Sequence, residues 1–304
     1  MFTDLSKYAG GYKMETAIQL LFNGLSMGSV YALIALGIVL IINAINIVNF
    51  AHGEVVMIGS FVVVSSLVYG QMPLPLAILV GIAFMVPFGF LFHRIAYHRL
   101  RNMPAHTVVV CTIGISLFLR NIALIIWGAT PYVMPPLAGN VPIRVFNVAI
   151  MPQSIIIIVT AIVLLTAQHF FFKSTMLGKK MQATAQDSEA AKLLGIRVNR
   201  MTTFTFIYAS MLAAIAGILA SPITFVEPFM GQSIGLKAFA AIIIGGFGSI
   251  PGALVGGLIV GLVEIFAAGY ISSAYRDAFP FIVMLIILMV KPEGLFGEKI
   301  GEKV

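Results

Sequence analysis

Charge is scarce in this chain of 304 residues. Asp, Glu, Lys and Arg together make up 10% of it, and only 11 residues are acidic. A soluble domain carries about a quarter charged residues, so an ordinary aqueous globule is excluded. Cysteine occurs once, at Cys111 in an apolar stretch, which excludes a disulfide framework and a cysteine metal cluster. His93 and His98 have no carboxylate or cysteine close by in sequence and make a poor metal site. No GxxxxGK[ST] string, HExxH string or serine–histidine motif occurs, so ATP hydrolysis or membrane-embedded hydrolysis by this chain alone is not expected. The opening residues lack the basic-then-apolar order of a signal peptide.

Hydrophobicity is what the chain has. Apolar residues reach 60% and the mean hydropathy is +1.05. Repeated apolar stretches of about 18 residues or more read as membrane-spanning helices. The expected fold is an all-α integral membrane protein, a polytopic bundle of 8 or 9 spans in one transmembrane domain. The net charge of +7 does not point to nucleic acid. Its excess lies in loops that flank spans, as cytoplasmic Lys and Arg do.

Residues 1–16 read as an N-terminal extension and 17–42 as a first span with a face of small residues. Residues 43–53 hold Asn43, Asn46, Asn49 and His52 between two apolar runs, and Glu54 follows directly. Polar groups there read either as a broken or re-entrant segment, with a helix restarting near Glu54 and its positive end aimed along the break, or as a short turn at the membrane surface whose polar groups touch water. Further spans are expected over 55–68 and 76–96, followed by a basic loop over 93–101 that belongs to the cytoplasm. The next span, 107–127, contains Arg120, which must find a carboxylate or carbonyls in the bundle or snorkel, with Glu54, Glu227 and Glu264 as candidate partners. Five prolines break up 128–152, which belongs to the outer side. Spans follow at 154–172 and 204–221. The apolar stretch 239–269 is interrupted by Gly245, Gly246, Gly248 and Pro251, and 278–290 forms the last span before a cytoplasmic tail, 291–304. Two interruptions, one in each half, suggest a pathway at an inverted internal repeat, although no repeat is visible as residue identity.

The insert 173–203 is different in kind. It carries six Lys or Arg with Asp187 and Glu189, and no run able to cross a bilayer. Residues 179–194 lack Gly and Pro and predict one short amphipathic helix. Ala183, Ala190, Ala191 and Leu194 share a face in that helix, Gly195 stops it, and an irregular return runs through 196–200. Such a helix either docks into a groove on a soluble partner or floats on lipid headgroups.

At this point the residues carry a resemblance. GluAlaAla at 189–191 with Gly195 matches the EAA…G loop of ABC importer permeases. The wider string GKKMQATAQDSEAAKLLGIRVNR resembles the version in branched-chain amino acid permeases of the LivH type. So do GLSMGSVYALIALG, NFAHGE at 49–54, IIIGGFGSIPGALVGG at 242–257 and KPEGLFG near the end. The Ile-x-Leu-Pro that follows the EAA glycine in other importer classes is missing, which separates the chain from maltose-type permeases. The resemblance implies one permease subunit of an ATP-driven importer of leucine, isoleucine or valine in the inner membrane of a bacterium or archaeon. It further implies a second permease, two cytoplasmic ATPases and a periplasmic or lipid-anchored binding protein as partners. No cofactor is expected in this chain, with ATP and Mg held by the ATPases. Asp187, Glu189, Ala190, Ala191, Gly195 and Arg200 would form the coupling site. Asn46, Asn49, His52 and Glu54 would line the path, with Gly245, Gly246 and Gly248 opposite, and Arg120 and Glu264 would be intramembrane charges. Related small amides or urea are alternative substrates. The rival class is a proton-coupled secondary transporter using His52 and Glu54.

Overall fold

The computed structural model describes residues 2–100, 103–139, 141–145 and 148–297. Among the described residues, six helical stretches are long and apolar enough to cross a membrane: 14–45, 74–100, 105–127, 152–174, 198–220 and 250–270. Three shorter apolar helices accompany them. The chain is therefore a multi-pass integral membrane protein.

Helix α1 (Phe2–Ile45) is the hub. Its most apolar window is 94% buried within the protein, whereas the corresponding window of α5 (Ala105–Trp127) is 11% buried and faces outward. Lipid tails are as apolar as leucine, so helices associate in a membrane mainly through close backbone approach. The sequence provides for this with matched small residues. Gly24 and Gly28 on α1 face Gly257 and Gly261 on α11 (Ile250–Tyr270). A Cβ added at Gly257 would meet Ala32 N at 2.5 Å, and one at Gly28 would meet Leu258 Cα at 2.8 Å. The small residues of α9 (Val198–Ala220) do the same against α2 (His52–Val68). Gly217 abuts Val56 and Ser60, Ala214 abuts Gly59, and Ala209, Ala213, Ala216 and Ala220 are buried.

Two ends of the bundle can be told apart. At one end a π-helical turn, His93–Tyr97, continues α3 (Leu74–Phe92) into a last turn, α4 (His98–Leu100). His98 Nδ1 there meets Asn199 Oδ1 at 3.0 Å, and His93 Nδ1 meets Thr203 Oγ1 at 3.1 Å. The basic segment and the insert thus share one end. At the opposite end Tyr132 and Val226 form a β-bridge, Trp127 Nε1 donates to Ser65 Oγ at 2.6 Å, and a hairpin of β1 (Ile143–Val145) and β2 (Val148–Ile150) closes the proline-rich segment.

Several boundaries differ from expectation. The break after α1 is narrower: α1 ends at Ile45, Asn46 takes φ +54°, and α2 restarts at His52. The basic segment 93–100 is helical rather than a loop, because nothing in it breaks a helix; residues 101 and 102 lie outside the described ones. The insert holds two helices instead of one, α7 (Met176–Gln186) and α8 (Ser188–Leu193), and α9 begins at Val198. Arg200 therefore sits in the first turn of α9, not in an irregular return. The helix before the second break, α10 (Met230–Gly245), starts nine residues earlier than the apolar run at 239 suggests. It breaks at Gly246 (φ +113°) and Gly248 (φ +82°), as foreseen, before α11.

The tail after α12 (Ala278–Val290) folds back on that break. Leu295 N donates to Ile244 O at 2.9 Å and Phe296 N to Gly245 O at 2.8 Å, satisfying carbonyls that the end of α10 leaves open. Residues 298–304 of the expected cytoplasmic tail lie outside the described ones.

Candidate functional site

The restart of α2 puts a carboxylate inside the bundle. Glu54 is 1% exposed. Its Oε1 accepts from Arg120 Nη2 at 2.7 Å and from Ser116 Oγ at 2.9 Å, both on α5. Glu54, and neither Glu227 nor Glu264, is the partner of Arg120. The pair is only half satisfied: Glu54 Oε2 and Arg120 Nε are buried without a hydrogen-bond partner among the described residues. A cavity of about 170 Å³ opens beside them. Glu54, Ser116, Arg120, Asn49 and Gln232 form its polar side, and Phe50, Phe239, Ile113 and Leu236 its apolar side. Phe50 and Phe239 are in ring contact at 5.4 Å, and the Arg120 guanidinium lies 5.7 Å from the Phe229 ring centroid. Gly53 packs against Gly231 and Gly235 so closely that side chains there would collide with backbone. The glycines opposite Glu54 are thus Gly231 and Gly235.

The other sequence-selected residues are placed elsewhere. His52 is 1% exposed, wedged against Gly37, and its Nε2 has no partner among the described residues. No hydrogen bond joins it to Glu54 among the described residues. Asn46 faces the insert, sharing a cavity with Asp187 and Ser188. Gly245, Gly246 and Gly248 meet the tail and Asn43, whose Nδ2 donates to Gly248 O at 3.1 Å.

Glu264 belongs to a second network. Its Oε1 accepts from Lys237 Nζ at 2.9 Å and from Arg276 Nη2 at 2.6 Å, and its Oε2 accepts from Tyr31 Oη at 2.6 Å. Lys237 also reaches Asp277 at 2.7 Å. Burial is the largest single influence on Arg276 and opposes its charge, but the Glu264 hydrogen bond together with the charges of Glu264, Tyr31 and Asp277 outweighs it and raises the guanidinium pKa. Glu264 is 0% exposed yet has a donor on each oxygen, so it closes a structural clamp across α1, α10 and α11.

The insert is built as a rigid projection. Thr175 caps α7 by accepting from Gly178 N at 3.0 Å, and Met181 anchors α7 in a cluster with Leu36, Leu40, Phe172, Met201 and Leu212. Asp187 breaks the expected single helix because its Oδ1 accepts from Glu189 N at 2.9 Å and Ala190 N at 3.0 Å, capping α8. Gly195 (φ +78°) ends α8: its N–H bonds to Lys192 O, and Ile196 N bonds to Ala191 O. These are the two bonds of a Schellman stop, which needs a left-handed residue. Ala191 is buried while Glu189 and Ala190 are exposed, and Leu193 and Leu194 are 90% and 78% exposed. The four apolar positions expected on one face are therefore split between the bundle and the surface.

A family model described as branched-chain amino acid transport system, permease component, matches residues 20–288. The chain belongs to this family. The LivH permease protein of the high-affinity branched-chain amino acid transport system of Escherichia coli K12 is 33% identical over 94% of this chain and 97% of its own length. The corresponding BraD protein of Pseudomonas aeruginosa is 34% identical over 94% of this chain and 98% of its own. A probable LivH protein of Methanocaldococcus jannaschii is 28% identical over 87% and 88%. No solved structure matches the chain. The matched span of this permease-family chain includes both breaks, the half-open Glu54–Arg120 pair and the whole insert. Tyr31, Ser116, Lys237, Arg276 and Asp277 were not foreseen as members of either network, nor Gln232 as lining the cavity. Lys237 could have been suspected, as a cation next to an apolar run.

Proposed function

We propose that the chain is one of two permease subunits of an ATP-driven importer of leucine, isoleucine and valine in an inner membrane. The insert end faces the cytoplasm, where basic residues are retained, and the N-terminus lies outside. A second permease completes the pore, two cytoplasmic ATPases grip one insert each, and a binding protein delivers the substrate at the opposite end. The observation that carries this reading is α8. A six-residue helix capped at both ends, with bare leucines at its tip, has little stability of its own. It serves as a knob for a groove on a partner. Motion of that partner passes through α7 to α1 and through the Gly195 stop to α9, since the insert contacts both. Helices with small-residue contacts slide past one another with little side-chain interference.

The cavity at Glu54 is the transit site of this reading. A zwitterion crossing the bilayer needs a carboxylate for its ammonium group and a cation for its carboxylate. The free Glu54 Oε2 and Arg120 Nε offer both, and Phe50, Phe239, Ile113 and Leu236 offer an apolar wall for the side chain. Transport requires only weak binding here, so most selectivity belongs to the binding protein. The proton-relay alternative loses support, because His52 and Glu54 face different neighbours.

Glu189→Arg places a cation at the start of α8, and Gly195→Pro cannot adopt φ +78° or donate the Schellman bond. Both variants are expected to insert in the membrane at normal levels and to lose ATP-dependent leucine uptake. Normal uptake by correctly inserted variants would refute the coupling role of α8.

A further inference from the structure

The cationic cleft beside the π-helical turn is not used by the transport reading except at Arg200, which the resemblance places in the coupling site. It is a cavity of about 770 Å³ between the end of α3 and the start of α9. Its polar side is formed by Arg94, Arg99, Arg200, His93, His98 and Asn199. Among the described residues no carboxylate lines it, and none of the three arginines has an ion-pair partner. Its other side is apolar and open, with Leu91, Ile95 and Phe204 at 51%, 59% and 43% exposure. Those residues belong to two membrane-crossing stretches, and the stretch 74–100 buries only 22% of its apolar window in the protein. The cleft thus has a positive mouth at the end of the bundle and an apolar shaft that opens to lipid.

One buried atom inside it lacks a partner. His93 is 2% exposed. The Thr203 hydroxyl donates to Asn199 O at 2.8 Å, so His93 Nδ1–H is the donor in its 3.1 Å contact with Thr203 Oγ1. His93 Nε2 is left unpartnered among the described residues, and with the proton on Nδ1 it is a free acceptor for a headgroup hydroxyl. His98 Nδ1 fixes Asn199 from the far side. The π-helical turn carries the shift in side-chain direction at this point, and such turns recur at binding sites.

We propose that this cleft binds the phosphate of an anionic phospholipid, with one acyl chain lying along Leu91, Ile95 and Phe204. Guanidinium groups match phosphate oxygens through paired N–H donors, and basic pockets between spans at the cytoplasmic face are suited to anionic headgroups. A soluble anion would use the mouth and leave the shaft bare. A soluble protein partner could not reach the shaft, which lies at the level of the bilayer. Because Arg200 stands in the first turn of α9, directly after the insert, a bound lipid braces the helix that carries motion away from α8.

The test uses the purified full chain in mild detergent with added phosphatidylglycerol, read by native mass spectrometry and thermal unfolding. Parallel arms use phosphatidylcholine and inorganic phosphate. Phosphatidylglycerol is expected to bind and raise the unfolding temperature, while the other two do neither. Arg94→Gln, Arg99→Gln and Arg200→Gln should each weaken binding about fivefold, and the triple variant should abolish the shift. Lys180→Gln, a basic residue on α7 outside the cleft, should leave binding unchanged. Equal binding by the triple variant and the native chain would overturn the proposal. So would an equal shift with inorganic phosphate, or loss of binding in Lys180→Gln to the same extent, since either would reduce the effect to general charge. Because the arginines are exposed, a single variant such as Arg99→Gln keeps the test open if the triple variant fails to fold.

Discussion

Two buried glutamates separate structure from function at the scale of single residues. Glu264 has donors on both oxygens and is a finished clamp. Glu54 has one oxygen committed and one free, beside a cavity. Removing one member of a buried pair strands the other charge and costs about 3–5 kcal/mol, whereas replacing both with apolar groups of similar volume is often neutral. Arg120→Ala is thus expected to lower the thermal stability of the chain markedly, and Glu54→Leu combined with Arg120→Met to restore most of it. Uptake of leucine should fail in both. A double variant that transports normally would remove the pair from the pathway. The sequence made Glu54 and Arg120 visible as charges within apolar runs, but three glutamates were available and only packing selects one. Lys237 stayed hidden because the Gln, Ser and Gly around it resemble a loop. The helix in fact starts at Met230, and its first turns are covered by α2.

Among the elements, the apolar helices and both breaks were legible because apolar length and interrupting Asn, Gly and Pro residues are strong local signals, but the expected count of 8 or 9 spans was not, since among the described residues six helical stretches are long enough to cross and three apolar helices are shorter. The insert was legible as an insert but not as two helices. Good helix formers run unbroken from Lys179 to Leu194, yet Asp187 followed by Ser188 and Glu189 is also a cap sequence, and the cap wins by satisfying two open N–H groups. Asp187→Ala should cost about 1 kcal/mol of α8 stability. Amide hydrogen exchange at Glu189 and Ala190 is the check: both should exchange faster in the variant, while amides in the middle of α7 keep their rates. Unchanged exchange would mean that the tip is held by something other than its cap. The π-helical turn at His93–Tyr97 had no sequence signal, since the residues HRIAY suit an ordinary helix equally well.

At the scale of the whole molecule, one buried helix, α1, is in contact with the insert, which is driven in the proposed function, and with the elements that surround the cavity. It packs on α7 through Leu36 and Leu40 and contributes Ile38 to the cavity wall. Force applied at the insert therefore has a short route to Glu54. The account's central claim is that outside ATPases supply that force through α8. The direct measurement is to purify the tagged chain from native membranes in mild detergent, identify its companions, and repeat with Glu189→Arg. The account predicts an ATPase and a second permease with the native chain, and loss of the ATPase alone with the variant. A chain that comes away without an ATPase under several detergents, yet transports leucine in liposomes along a proton gradient, would contradict it.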